Sequence, residues 1–512
     1  MKKLANVLAR IIFFIYFFLW CGIMFLNMFF SSTNYSCKKT FLLSNAWLLM
    51  LGFLIIVFWV GLSFILSQKQ IHMKKININA LTIILFILQA YIFFNMYFHT
   101  ESWDPWTIYW NAEMISRGES NGLWNFYFSS FPNNQMIVYL QSIIIKLNRL
   151  FGIFESEGIF LMILIQCLLT SLTGKLLYDI LRTLTYSEKY PFIGWLLFVI
   201  LLGLSGWNVI TYTDMMGLIF PIAIFRIYLS LKDKTAVVAK WILILALTFW
   251  GFKIKPTVII VFIALLINHF ILFIFNFEFK TCIIKFKTLG KLTIVGSLCI
   301  LIFLSAFNAM IQSTGLVIDK EANTGALHMM MMGLNPVNDG VWYEADVELS
   351  QGITDKTERT YAQIDKIKER MHDYGLKGFI KHMCKKTLII FNDGTFAWGC
   401  EGGFYDVIYP DKNAVVSPFL KSLYYNEGAR YLYLSTVEQF AWIIVLFLSG
   451  GIVFIQKSSE SLAIVLSLVG IILFNLIFEA RARYIILYVP YFIIAAMLFL
   501  QKCELHFENK QI

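Results

Sequence analysis

Two aspartates hold the chemistry that this chain can offer most directly. Asp104 stands in WDPW and Asp214 in VITYTDMMG, each hard against a long apolar run. A carboxylate placed where water meets lipid can take a proton from an attacking hydroxyl as a general base. A second carboxylate facing it could orient an acceptor, or the pair could hold a divalent cation, because hard cations prefer oxygen ligands. A local reading competes with both. Asp followed by Pro is a favoured helix start, with Asp as N-cap and Pro105 in the first helical position; Asp214 would likewise cap the helix after it.

Basic residues supply the complementary charge. Lys253 and Lys255 in GFKIKPT, and Arg481 and Arg483 in FEARARY, are wedged between apolar runs with almost no loop. Charge at that depth is costly and marks a functional site unless it snorkels or pairs, here with Glu479. A phosphate is the natural partner: Arg presents a fork that matches its oxygens, and Lys a point charge. Lys38 and Lys39 read as solvated loop residues. Asn133 and Asn134 in FPNNQ are candidate contacts to sugar hydroxyls, with turn capping as the alternative. His328, the run Met329 to Met332, Asn335, Asn392, Asp393 and Glu401 are weaker signals. Gly394, Gly399, Gly402 and Gly403 point to close backbone turns. Eight scattered cysteines without a CxxC spacing indicate neither a zinc site nor a disulfide framework.

Such residues need a scaffold, and composition says which kind. The chain has 512 residues, 59% hydrophobic and 14% charged, where globular domains carry roughly a quarter charged. Its mean hydropathy is +0.70. Apolar runs of about 18 residues or more recur, the length that crosses a hydrocarbon core, and the alternating segments of a β-barrel do not. The expected fold is an all-α polytopic membrane protein with about twelve transmembrane helices. They fall near 10–30, 46–66, 78–98, 157–181, 191–206, 215–231, 238–252, 257–276, 292–312, 434–455, 461–478 and 484–500. The first is read as a retained span, too long for a signal peptide.

The net charge of +10 reports orientation rather than a nucleic-acid partner. With both termini cytoplasmic, the short inner segments hold Lys2, Lys3 and Arg10, then Lys69, Lys74 and Lys75, then Arg182 and Lys189. Arg226, Lys232 and Lys234 follow, then Lys280, Lys285, Lys287 and Lys291, then Lys457 and Lys502. This arrangement requires that 135–152 lie as an amphipathic interfacial helix on the outer face rather than cross. It yields a membrane module over 1–312, with outer loops at 99–156 and 206–215. A mixed extracytoplasmic cap region follows over 313–433, then C-terminal membrane helices over 434–512. Within the cap, an amphipathic helix is expected to end near Gly375.

The combination WDPWTIYWNAEMISRG, YFSSFPNN, NDGTFAWGCEGGF and EARARYIILYVP resembles the GT-C superfamily of membrane glycosyltransferases, which includes protein O-mannosyltransferases and aminoarabinose transferases. Asp104 stands where that superfamily has its first-loop acidic residue, and Thr213-Asp214-Met215 resembles its second-loop acidic motif. The pieces look like Gram-positive cell-surface members, and the signature of oligosaccharyltransferases is missing. The resemblance implies inverting transfer of a sugar from a polyprenyl-phosphate donor to an extracytoplasmic acceptor: a wall polysaccharide, teichoic acid, glycolipid or protein. Asp104 would be the base, Asp214 the second carboxylate, and Arg481, Arg483 and Lys255 would bind the donor phosphate. Asn133 and Asn134 would contact sugar. No cofactor is implied with certainty, and a divalent cation stays open. Two other readings remain: a flippase or polymerase of lipid-linked glycans, and a membrane assembly protein without chemistry.

Overall fold

A computed structural model describes residues 2–30, 41–68, 76–119, 122–154, 158–233, 235–275, 279–402 and 405–509. Lys38, Lys39, Lys69, Lys74, Lys75, Lys234 and Gly403 lie outside these residues. So do the side chains of Lys280, Lys285, Lys287 and Lys291.

Helix follows helix because the apolar runs leave no other way to satisfy backbone N–H and C=O groups away from water. The chain opens with α1 (Lys2–Phe29), α2 (Asn45–Gln68) and α3 (Ile78–Phe94). A short strand β1 (Phe98–His99) leads to α4 (Trp103–Ser116), α5 (Asn125–Ser130) and α6 (Gln135–Phe151). Next come α7 (Gly158–Leu184), α8 (Lys189–Phe198), α9 (Thr213–Gly217), α10 (Ile219–Leu229), α11 (Val237–Ile254), α12 (Ile259–Phe275) and α13 (Phe279–Gln312). The cap region holds α14 (Gly325–Gly333), α15 (Glu344–Gly352), α16 (Lys356–Phe391), strand β2 (Val407–Ile408) and α17 (Val416–Tyr424). The chain closes with α18 (Tyr431–Ser449), α19 (Ser459–Ile477) and α20 (Val489–Asn509).

Among the described residues nine helices are long and apolar enough to cross a membrane, and three shorter apolar ones cover Asn45–Gly61, Ile78–Phe94 and Lys189–Gly203. Each expected crossing therefore coincides with an apolar helix. Helix α6 is not among the nine. Its buried face runs through Ile137, Gln141, Ile145 and Asn148, the spacing of one helix side, and it packs against α4 and α7.

The bundle has two chemically distinct ends. At one, the basic residues expected inside find acidic partners: Arg182 with Glu188 at 2.9 Å, Lys232 with Glu460 at 2.5 Å, and Lys189 with Glu504. At the other end lie Asp104, Asp214, Lys255, Arg481 and Arg483. There β1 pairs antiparallel with β2, Phe98 opposite Ile408 and His99 opposite Val407. One carboxylate oxygen of Asp406 accepts from Thr100 Oγ1 at 3.0 Å and from the Glu101 amide at 2.7 Å. Distant loops are thus clamped to the entrance of α4.

The amphipathic helix in the first half of α16 ends at Gly375 as expected: the backbone leaves the helical region there, at φ 52°, and a second helix carries on to Phe391. Glycine reaches this left-handed region without a Cβ penalty, which lets the chain turn between the two. One expectation changes: Cys400 is disulfide-bonded, which the scattered cysteine spacing does not indicate.

Candidate active site

Asp104 does not cap α4. The N-cap position belongs to Ser102, which makes no side-chain capping bond. Both carboxylate oxygens of Asp104 instead accept from phenols: Oδ1 from Tyr127 at 2.7 Å and Oδ2 from Tyr212 at 2.9 Å. Behind them Asn134 donates from Nδ2 to the Tyr127 hydroxyl at 2.7 Å. Its Oδ1 accepts from Asn133 at 3.0 Å and lies 3.4 Å from the Tyr212 hydroxyl. Asn134 is buried and caps nothing; its side chain positions the two phenols. Asn133 stays partly exposed. Burial and the nearby Asp104 charge push both phenols well above their ordinary range, so they remain neutral donors and hold the carboxylate without neutralising it.

Asp214 sits in different company. It lies in the first turn of α9, is 2% exposed, and faces cations. Lys255 Nζ stands 2.5 Å from Oδ1, and Arg483 Nε 3.8 Å from Oδ2. Lys255 also reaches Thr213 Oγ1 at 3.4 Å and lies 4.5 Å over the Tyr484 ring. Burial pulls the Lys255 ammonium below its ordinary range against the raising effect of Asp214.

Arg483 joins the two aspartates. Its guanidinium carbon is 4.4 Å from the ring of Trp103, the residue beside Asp104, and 5.7 Å from that of Tyr212. Planar guanidinium over an aromatic face is a favourable cation–π arrangement. Trp103 holds a left-handed φ of 53°, a conformation costing about 1–2 kcal/mol in a non-glycine residue. The stack on Arg483 and an edge contact with Tyr212 at 5.6 Å fix it there.

The network extends through Glu401 and Glu479. Arg483 Nε is 3.3 Å from Glu401 Oε2, and Arg481 Nη1 is 3.1 Å from Glu401 Oε1. Arg481 Nε donates to Glu479 at 2.8 Å, and the Tyr484 hydroxyl donates to Glu479 at 2.7 Å. Arg481 and Lys255 are thereby engaged by carboxylates, as the pairing alternative with Glu479 anticipated for Arg481. Arg483 differs. Its Nε and Nη1 are buried yet make no hydrogen bond among the described residues; its contacts with Asp214 and Glu401 are close ion pairs without hydrogen-bond alignment. A buried guanidinium with unused donors is chemically suited to one more anionic oxygen. Lys253 takes no part, lying 4.0 Å over Phe307.

Glu401 reaches the site on a buried loop. Asp393 folds it by accepting from the Thr395 amide and hydroxyl, each at 2.8 Å, and from the Ala397 amide at 3.0 Å. Phe396 and Ala397 hold left-handed φ values of 54° and 63°. Trp207 Nε1 donates to the carbonyls of Thr395 and Phe396, both at 3.1 Å.

A divalent cation does not fit these side chains. The Asp104 oxygens are taken by phenols and those of Asp214 face Lys255 and Arg483. No group of three His, Cys, Asp or Glu residues among the described ones could hold a metal. Beside α4, an apolar cleft is lined by Phe98, Pro105, Trp106, Ile159, Val209 and Ile210.

Tyr127, Tyr212, Trp103 and Tyr484 are the members that sequence reasoning misses. The single available hint is position, since Tyr212 precedes Asp214 by two residues. Residues 1–504 match a family model described as conserved hypothetical integral membrane protein. No curated protein and no solved structure matches the chain.

Proposed function

The chain belongs to that family of integral membrane proteins, and we propose that it is a glycosyltransferase of the GT-C type, using a polyprenyl-phosphate sugar and an acceptor outside the cytoplasm. The observation that supports this most is Arg483. A buried guanidinium with unused donors stands between a partly exposed carboxylate and a buried, cation-paired one.

In this reading Asp104 accepts the proton of the acceptor hydroxyl. The hydroxyl oxygen attacks the anomeric carbon, and the bond from that carbon to the phosphate oxygen breaks with inversion. Arg483 takes the charge that gathers on the departing phosphate. Asp214 and Glu401 hold Arg483 in place, while Lys255 and Arg481 balance them. The polyprenyl chain would lie between apolar spans, as the resemblance implies. Asn134 acts through Tyr127 and Tyr212 rather than on the sugar, which leaves Asn133 as the exposed amide for substrate.

The test is transfer from a polyprenyl-phosphate sugar by purified protein carrying Asp104→Asn. A drop of about 10²–10⁴-fold is expected for loss of a general base. Activity equal to the parent would reject the assignment. Cysteine labelling in the 313–433 region, accessible from outside the cell, checks the orientation; a cytoplasmic result would sink the scheme.

A further inference from the structure

Helix α16 changes character at its break. Before Gly375 it carries a mixed polar surface; after it, the sequence LKGFIKHMCKKTLIIF sorts into three stripes. His382, Lys386, Ile389 and Ile390 face the protein and are buried. Leu376 and Ile380, one turn apart, are 79% and 54% exposed. Beside them lie Lys377, Lys381 and Lys385, again one turn apart and exposed. Lys385 pairs with Asp339 at 2.8 Å, whereas Lys377 and Lys381 have no acidic partner among the described residues.

Three contacts set the height and tilt of this segment. His382 Nε2 lies 3.0 Å from the Gly333 carbonyl oxygen. Lys386 Nζ donates to the carbonyls of Gly333, Leu476 and Phe478 at 2.9, 2.8 and 2.6 Å. The latter two are the open C-terminal end of α19, where a cation is favoured by the helix dipole. At the far end, Asn392 Nδ2 donates to the Phe30 carbonyl at 3.3 Å, where α1 ends. Residues 386–392 therefore bridge the C-terminal ends of α19 and α1, which places the turns just before them at the level where those helices leave the apolar layer.

We infer that residues 376–388 form a lipid-surface anchor, with Leu376 and Ile380 entering the acyl boundary and Lys377 and Lys381 bound to anionic phospholipid headgroups. An exposed apolar stripe bordered by basic residues is how an interfacial helix is built. The charge is complementary to an anionic headgroup, and Lys386 ties the segment to the C-terminal end of α19. The inference does not depend on the catalytic reading, because it uses none of the same residues.

The test uses the full chain in liposomes of phosphatidylcholine with phosphatidylglycerol. An environment-sensitive fluorescent side chain is encoded at position 380 and, separately, at position 361, an exposed site before the break. The expected result at 380 is quenching by lipids spin-labelled near the headgroup and shielding from aqueous iodide, with the reverse at 361. Replacing phosphatidylglycerol by phosphatidylcholine, or introducing Lys377→Glu with Lys381→Glu, should reduce that quenching by shifting the equilibrium between anchored and free segment about fivefold per lost basic charge, while position 361 reports unchanged folding. Equal iodide access at 380 and 361 would overturn the anchor. Shielding at 380 without lipid quenching would also overturn it, pointing to a protein partner instead. Quenching that ignores both lipid charge and the glutamates would remove the headgroup assignment.

Discussion

Asp104 and Asp214 stand in one neighbourhood and are held in opposite ways. Asp104 is partly exposed and takes hydrogen bonds from two neutral phenols, so its charge stays uncompensated. Asp214 is buried and lies against Lys255 and Arg483, so its charge is compensated where it sits. A carboxylate that must accept a proton needs access and free charge; one that must position a cation needs neither. The surroundings thus assign the two aspartates different work, although each begins in the sequence as an Asp at the head of a helix.

The largest effect that would sharpen this contrast is on turnover. Asp104→Asn should reduce transfer by about 10²–10⁴-fold while changing stability by no more than about 1 kcal/mol, read as rate and melting temperature of one preparation. A melting loss as large as that of the buried pair would break the comparison. Arg483→Met should lower transfer as well, but unlike Asp104→Asn it should also cost about 3–5 kcal/mol of stability, because Asp214 and Glu401 are left buried with too little positive charge. Reversible unfolding in mixed micelles measures it. Removing Lys255 and Asp214 together, as Lys255→Met with Asp214→Leu, should cost about 2 kcal/mol less than Lys255→Met alone.

Smaller effects follow. Tyr127→Phe and Tyr212→Phe each delete one donor to Asp104 and should each cost about 1 kcal/mol. A double-mutant cycle with Asp104→Asn should show coupling of similar size. The smallest concerns pH. Burial lowers the imidazoles of His328 and His382 below the ordinary value of 6.5. Below 6.5 the unfolded chain binds more protons than the folded one, so this contribution to stability is complete above 6.5 and declines as pH falls further. Melting temperature should drop on acidification from about pH 7 to about pH 5, and His328→Gln with His382→Gln should flatten that drop.

The helices were legible because an apolar run of spanning length has few other fates. The capping readings of Asp104, Asp214 and Asn134 failed for a shared reason. Each side chain finds a partner outside its own helix start, from seven residues away for Asn134 with Tyr127 to 269 for Asp214 with Arg483, and a local capping rule sees none of them. Tyr127 and Tyr212 were invisible among 24 tyrosines, where one more phenol carries no signal. Arg481 and Arg483 were conspicuous, since a charge between two apolar runs is rare. Their division of labour was not, because it depends on where Glu401 arrives, and that is set by the fold around Asp393.

The ion-pair network has one further consequence. Lys255, Arg481 and Arg483 contribute three positive charges, and Asp214, Glu401 and Glu479 three negative ones. It is electrically closed before any ligand arrives, and Asp104 beside it adds an unbalanced negative charge. An entering phosphate therefore meets unused donors but no surplus cation.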